Sequence, residues 1–238
     1  MSETVALRGV WATYGRGWVL QDVTLDIEKG RAVAVLGANG AGKTTLTRVL
    51  AGVLPPRRGT LLCGAEDMTL WTPRSRTHKA RISVVPEGRM IFPALTVQEN
   101  LLVARRGAKH QVAARMGELL DAFPRLAERR GQLAGSLSGG EQQMLAVSRA
   151  LMTQPDYLVV DEPSLGLAPE AVARLYSVLA RLRHDYGIGV VLAEQNVRLA
   201  LQVADFAYVL RAGKVVAEGP CERLLDSGIL HDAYLGLP

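Results

Sequence analysis

The sequence predicts an α/β fold with a mainly parallel sheet, an antiparallel β lobe at the N-terminal end and an inserted helical subdomain. Three observations carry this. Short apolar runs, at Ala32–Leu36, 157–160 and 188–193, alternate with stretches of helical spacing, as strands and crossover helices of a parallel sheet do. Before them, Val5 and Leu7, then Val23, Leu25 and Ile27, recur at every second position, the mark of half-buried strands. Between them, 97–152 is rich in Ala, Leu, Arg, Glu and Gln, with Val112, Met116, Leu119, Leu120 and Phe123 at helical spacing.

Taken in order, the first strands turn at Gly15-Arg16-Gly17 and Glu28-Lys29-Gly30. Ala32–Leu36 then enters a glycine-rich loop, 37–42, and a helix over 43–51 that is stopped by Gly52 and Pro55-Pro56. A strand at Ile82–Val85 precedes the helical segment. The core resumes with a strand at 157–160, a helix at 170–184, a strand at 188–193 and a helix at 197–203. Strands at 206–210 and 214–217 form a hairpin around Ala212-Gly213, with a short helix from Glu222. One domain, 1–238, is expected: 1–30 with 54–85 as β lobe and core, 88–152 as helical subdomain, and 153–238 as the rest of the core with the hairpin.

At 238 residues and 48% hydrophobic content, the chain can bury a core without disulfides, so Cys63 and Cys221 read as reduced thiols. The start of the chain lacks the basic and then apolar pattern of a secretory signal, and no apolar run approaches the roughly 20 residues of a membrane span. The formal charge of +5 is spread over short clusters such as Arg57-Arg58, Arg105-Arg106 and Arg129-Arg130, which read as solvated surface.

Three motifs carry chemistry. Gly37-Ala38-Asn39-Gly40-Ala41-Gly42-Lys43-Thr44 fits the phosphate-loop pattern, in which backbone N–H groups curl around phosphate oxygens at a helix N-terminus. Lys43 is suited to the β and γ phosphates, and the Thr44 hydroxyl to Mg²⁺. The run Leu158-Val159-Val160 ends in Asp161, suited to the metal, and Glu162, suited to polarise an attacking water. Finally, Ser138-Gly139-Gly140-Glu141 opens a helix, as an anion site at a positive helix end or as an ordinary N-cap; physical chemistry alone leaves both open.

The segments GANGAGKTT, LSGGEQQ and YLVVDEP, in that order, make the chain resemble the ATP-binding cassette (ABC) ATPases, whose fold is a P-loop NTPase core. The resemblance implies ATP and Mg²⁺ as ligands, with Gly37, Asn39, Gly40, Gly42, Lys43, Thr44 and Thr45 around the phosphates and Tyr14 on the adenine. It implies a head-to-tail dimer in which Ser138, Gly139, Gly140 and Glu141 of one subunit meet the γ phosphate held by the other. Taken alone, Tyr14 reads as a core or strand-pairing residue.

Three positions depart from the general cassette pattern. Glu87 stands where a glutamine usually touches metal and water, Gln195 where a histidine usually contacts the γ phosphate, and Ala168 where the loop after the catalytic glutamate usually carries aspartate. Gln195 can donate to a phosphate oxygen but cannot become cationic, so its role is positional. Glu87 adds a negative charge that either strengthens Mg²⁺ binding or repels the γ phosphate.

VPEGRMIFPALTVQEN, DEPSLGLAPE, AEQNV and Ala233-Tyr234-Leu235-Gly236 are similar to one of the two ATP-binding subunits of branched-chain amino-acid importers, with importers of urea or short amides close by. That branch implies a partner ATPase of different sequence, or else a second copy, together with membrane permeases, indirectly a solute-binding protein, and a peripheral place on the cytoplasmic face of the membrane. The rivals are a soluble cassette acting on nucleic acid or the ribosome, which only the basic balance favours, and a nucleotide-gated subunit with little hydrolysis, motivated by Glu87 and Gln195. No nucleic-acid partner is expected.

Overall fold

The computed structural model describes residues 4–226; the Ala233–Gly236 resemblance lies outside the described residues. Ten strands and nine α-helices are assigned there. They are β1 (Thr4–Ala12), β2 (Leu20–Glu28), β3 (Ala32–Leu36), α1 (Lys43–Leu50), β4 (Arg58–Cys63), β5 (Glu66–Asp67), α2 (Pro73–His78) and β6 (Ile82–Val85). Then follow α3 (Val97–Val103), α4 (Lys109–Ala122), α5 (Pro124–Glu128), a 3-10 turn (Ala134–Ser136), α6 (Gly139–Leu151), β7 (Tyr157–Asp161) and α7 (Pro169–Tyr186). The chain closes with β8 (Gly189–Glu194), α8 (Val197–Leu201), β9 (Phe206–Arg211), β10 (Lys214–Pro220) and α9 (Cys221–Asp226).

Two sheets result. The first is antiparallel, in the order β2-β1-β4-β5; the second runs β10-β9-β3-β8-β7-β6, parallel from β9 to β6, with β10 antiparallel at one edge. Strands β3, β7 and β8 are buried along their whole length, as strands covered on both faces must be. Their side chains divide by alternation. Ala32, Ala34, Leu36, Leu158, Val160, Val190 and Leu192 join a core with α6 and α7 (Leu145, Leu175, Leu179), whereas Val33, Val35, Val159 and Val191 join one with α1 and the β lobe (Leu46, Val49, Leu7, Leu25). The helices α3 to α6 extend the first core through Leu101, Met116, Leu119 and Phe123.

Strands β4 and β5 and helix α2 are additions to the sequence reading, which placed residues 54–85 as lobe and core and resolved only the strand at Ile82–Val85 there. Arg58–Cys63 has exposed Arg58, Gly59 and Thr60, so its alternation is weak; its pairing comes from β1, with Leu61 opposite Leu7. Helix α2 starts at a Thr72 cap with Pro73 in its first turn but has too few apolar residues to show a period. Elsewhere the differences are one to three residues at the ends of elements, where end effects dominate.

The register matters for the site. Leu36 pairs with Glu194, Asp161 with Ala193, and Val85 with Val160. The carboxyl ends of β3, β8, β7 and β6 therefore lie side by side, the crevice where open α/β sheets hold ligands.

Candidate ATP site

Each of those four strand ends delivers a candidate residue: Gly37 after β3, Gln195 after β8, Glu162 after β7 and Glu87 just beyond β6. The phosphate loop turns through left-handed Gly40 and Gly42, with φ of 79° and 111°, which glycine adopts without a Cβ penalty. Gly37 has a different reason: a Cβ there would lie 2.5 Å from the Leu210 carbonyl oxygen. Gly42 caps α1 with no side-chain hydrogen bond, so the helix keeps its first N–H groups for an anion. Ala38, Asn39 and Gly40 are exposed at the loop's crown, and Thr44 is half-buried behind it.

Lys43 is 3% exposed, and its ammonium donates to the carbonyls of Gly37 (2.9 Å) and Ala38 (3.1 Å) and pairs with Glu162 Oε1 at 3.1 Å. All three ammonium donors are thus used within the loop and its acidic neighbour. Glu162 has φ of 46°, left-handed in a residue with a side chain, and its N–H donates to the Ala193 carbonyl at 2.8 Å. Such backbone strain, where the surroundings hold it, aims a side chain away from the strand direction.

Asp161 is 1% exposed. Its Oδ2 accepts from Thr47 Oγ1 at 2.9 Å, while Oδ1 is buried without a hydrogen-bond partner. Burial pushes this carboxyl above the ordinary range; the Thr47 and Thr44 hydroxyls pull it down, and the charges of Glu162 and Glu87 raise it again. A buried, unsatisfied carboxylate oxygen beside two hydroxyls and another carboxylate fits a hard cation that takes few protein ligands and completes its shell with phosphate and water. No cluster of three or more His, Cys, Asp or Glu side chains suited to a metal occurs among the described residues, so a fully protein-made metal cage is not what this donor set builds.

Tyr14 lies in the β1–β2 connection, 56% exposed. Its hydroxyl accepts from Arg48 Nη1 at 3.0 Å and is 3.4 Å from Thr45 Oγ1, which fixes the ring beside α1 with an open edge. Gln195 is exposed, and its N–H donates to its neighbour's carboxylate, Glu194 Oε2, at 3.1 Å.

The signature helix is different. Ser138 caps α6 in a capping box: its N–H and hydroxyl donate to Glu141 Oε2 at 2.9 and 2.8 Å, and the Glu141 N–H returns a bond to Ser138 Oγ at 3.4 Å. Glu141 is also paired with Arg129 at 2.8 Å. A Cβ on Gly140 would lie 2.7 Å from Ala171 Cβ, so this glycine lets α6 pack closely on α7. Within one chain, Ser138 and Glu141 therefore satisfy each other, and Ser138 faces solvent.

The ABC transporter family model matches residues 20–165, more than half of the chain. The chain belongs to the ABC transporter family. It is an ATPase subunit of that family, in which ATP hydrolysis is coupled to transport. This cassette is 44% identical over 224 residues to the high-affinity branched-chain amino acid transport ATP-binding protein BraG of Pseudomonas aeruginosa, covering 94% of this chain and 95% of that protein. It is 37% identical over 238 residues to the probable branched-chain amino acid transport ATP-binding protein LivF of Archaeoglobus fulgidus, covering 100% and 99%. It is also 33% identical over 222 residues to the lipopolysaccharide export protein LptB of Haemophilus influenzae, covering 92% and 91%. Among solved structures, a nucleotide-free ATP-binding cassette from an ABC transporter superposes with a TM-score of 0.87 at 25% identity, covering 99% of this chain and 100% of that one. A dimeric cassette in a post-hydrolysis state, bound to ADP and Pi, superposes with 0.79 at 26% identity, covering 91% and 98%.

Two groups in the cassette escaped the sequence reading. Thr47, one helical turn beyond Thr44, holds Asp161; the spacing alone could have shown it, since both threonines fall on one face of α1. Glu194, a charged residue at the end of a buried apolar strand, is 2% exposed. That contrast is unusual in a sequence, but its partners are distant in the chain.

Proposed function

We propose that this cassette powers a branched-chain amino-acid importer, pairing head to tail with a second cassette subunit and docking peripherally on membrane permeases at the cytoplasmic face. Full-length similarity to BraG and LivF supports the importer branch over the export branch, whose match is weaker. The helical subdomain, and especially Glu87 to Thr96, where Met90 and Phe92 are exposed, meets the membrane subunits.

The observation that carries the chemistry is the meeting of Lys43, Asp161 and Glu162 at the carboxyl end of the sheet. Tyr14 stacks on the adenine, and Gly37, Asn39, Gly40, Gly42, Lys43, Thr44 and Thr45 surround the phosphates. The Asp161 carboxylate, the Thr44 hydroxyl and Glu87 would hold Mg²⁺, with the Glu87 charge strengthening the site. Bound there, the cation supplies charge neutralisation at the β and γ phosphates. Lys43 exchanges Glu162 for phosphate oxygens, and the freed Glu162 carboxylate accepts a proton from the water that attacks the γ phosphorus as the bond to the β–γ bridging oxygen breaks and ADP leaves. Gln195 donates to a γ-phosphate oxygen. The partner's Ser138 hydroxyl and its first helical N–H groups close the far side.

Uptake of labelled leucine, isoleucine and valine by cells carrying this chain together with branched-chain amino-acid permease subunits, a second cassette and a solute-binding protein tests the transport assignment. The expected outcome is uptake that Glu162→Gln abolishes. Stimulation of urea or short-amide uptake with none of leucine would move the chain to that neighbouring branch.

A further inference from the structure

Glu194 accepts four hydrogen bonds although it is 2% exposed and lies at the end of a parallel strand. Its Oε1 accepts from the Ser164 N–H at 3.1 Å and the Tyr176 hydroxyl at 2.7 Å, and its Oε2 from the N–H groups of Gln195 at 3.1 Å and Asn196 at 3.3 Å. Its backbone carbonyl accepts from the Gly37 N–H at 3.3 Å. One residue thereby joins the start of the phosphate loop, the segment two residues after Glu162, the Gln195 loop and helix α7. Burial and the Glu194 charge hold the Tyr176 phenol well above its ordinary value, so it remains a donor.

A purely packing role would be met by an apolar side chain at no desolvation cost. A buried carboxylate with four donors instead specifies geometry, because each bond fixes a different segment. The strained Glu162 backbone shows what is fixed. Its N–H is bonded to the Ala193 carbonyl, and two residues on, the Ser164 N–H is bonded to Glu194, so the left-handed turn is held on both sides. The same carboxylate orients the Gln195 N–H on the neighbouring strand end.

The geometry points to Glu194 as the positioning residue for hydrolysis: it sets the Glu162 and Gln195 loops in mutual register and does not touch substrate. The inference rests on the roles proposed above for Glu162 and Gln195. Its consequence is a separation of binding from turnover, since Lys43 and the phosphate-loop N–H groups keep their own contacts when this carboxylate is altered.

Glu194→Gln keeps the volume and replaces one acceptor oxygen with an NH₂ that cannot accept from Ser164 N–H or from the Gln195 and Asn196 N–H groups. In the full-length chain with its transporter subunits, kcat for ATP falls about tenfold to a hundredfold, the loss expected for slight misplacement of reacting groups. The apparent KM for ATP stays within about twofold of the parent, and the ATP-induced rise in melting temperature is retained. Tyr176→Phe, which frees Oε1 of one partner only, lowers kcat less with the same KM. Glu162→Gln runs beside them. If it leaves hydrolysis intact, the site reading itself fails; if it abolishes hydrolysis while Glu194→Gln keeps parental kcat, the positioning role is overturned. Should Glu194→Gln fail to fold, Tyr176→Phe decides alone: a lower kcat at unchanged KM supports the role, and parental kcat overturns it.

Discussion

The phosphate-loop end and the signature end of this cassette are built to different degrees of completeness. At the first, Lys43, Asp161, Thr47 and Glu194 are 1–3% exposed and held by hydrogen bonds, and one buried carboxylate oxygen, Asp161 Oδ1, has no hydrogen-bond partner. At the second, Ser138 faces solvent, and its N–H and hydroxyl are satisfied by Glu141. One region gathers buried charged groups at the carboxyl end of the sheet, and the other is a solvent-facing helix end capped by its own chain. The difference is what the proposed head-to-tail pairing needs: the phosphate loop takes a nucleotide within its own chain, and the signature is left to face the nucleotide of another.

The largest effect that would sharpen this contrast is Glu162→Gln. Loss of the water-polarising carboxylate lowers hydrolysis about 10²- to 10⁴-fold. Because Glu162 competes with phosphate for Lys43, ATP affinity rises rather than falls, and equilibrium binding of labelled ATP reads the sign. Unchanged or weaker binding would show that the ion pair does not gate the loop.

Ser138→Arg comes next. The long guanidinium wedges the small signature loop away from the partner's γ phosphate and takes the Ser138 hydroxyl with it, and loss of such a preorganised donor costs about 10²- to 10³-fold in rate, while ATP binding to the single chain stays parental. A matching loss of binding by the isolated chain would place the signature in the chain's own site and break the contrast.

Lys43→Ala attacks the other half and loses binding. A hydrogen-bonded charge contributes about 1.5 to 3 kcal/mol, so titration calorimetry should show affinity lower by roughly tenfold to a hundredfold. Gly140→Ala has the smallest expected effect and acts on the fold: overpacking against Ala171 destabilises by about 1 to 3 kcal/mol, offset in part by better helix propensity, and is read by chemical denaturation. A stable Gly140→Ala chain with hydrolysis lost would mean that the glycine serves phosphate approach before packing.

Much of the phosphate-loop half was legible in the sequence because it is local. Gly37 to Thr44 lie between a strand and a helix, and Asp161-Glu162 end an apolar run, so eight consecutive residues and one strand end specify most of the chemistry. The capping box of Ser138 and Glu141 is local in the same way. Glu194 was not legible, since its partners Ser164 and Tyr176 are 30 and 18 residues away and are brought to it by the β7–α7–β8 crossover. Strand β4 was hidden for a related reason: its exposed start lacks alternation, and its place is set by pairing with β1 some fifty residues earlier. Helix α2 carried a start signal, Thr72-Pro73, without an apolar stripe to confirm it.

The central claim, put for two copies of this chain, is that the signature of one completes the nucleotide site of the other. Mixing the Lys43→Ala chain, which keeps its signature, with the Ser138→Arg chain, which keeps its phosphate loop, tests it most directly. The account predicts that neither variant alone turns over ATP appreciably and that the mixture does, with a rate that rises with the concentration of the Lys43→Ala chain. A mixture no faster than the sum of its two components would contradict it.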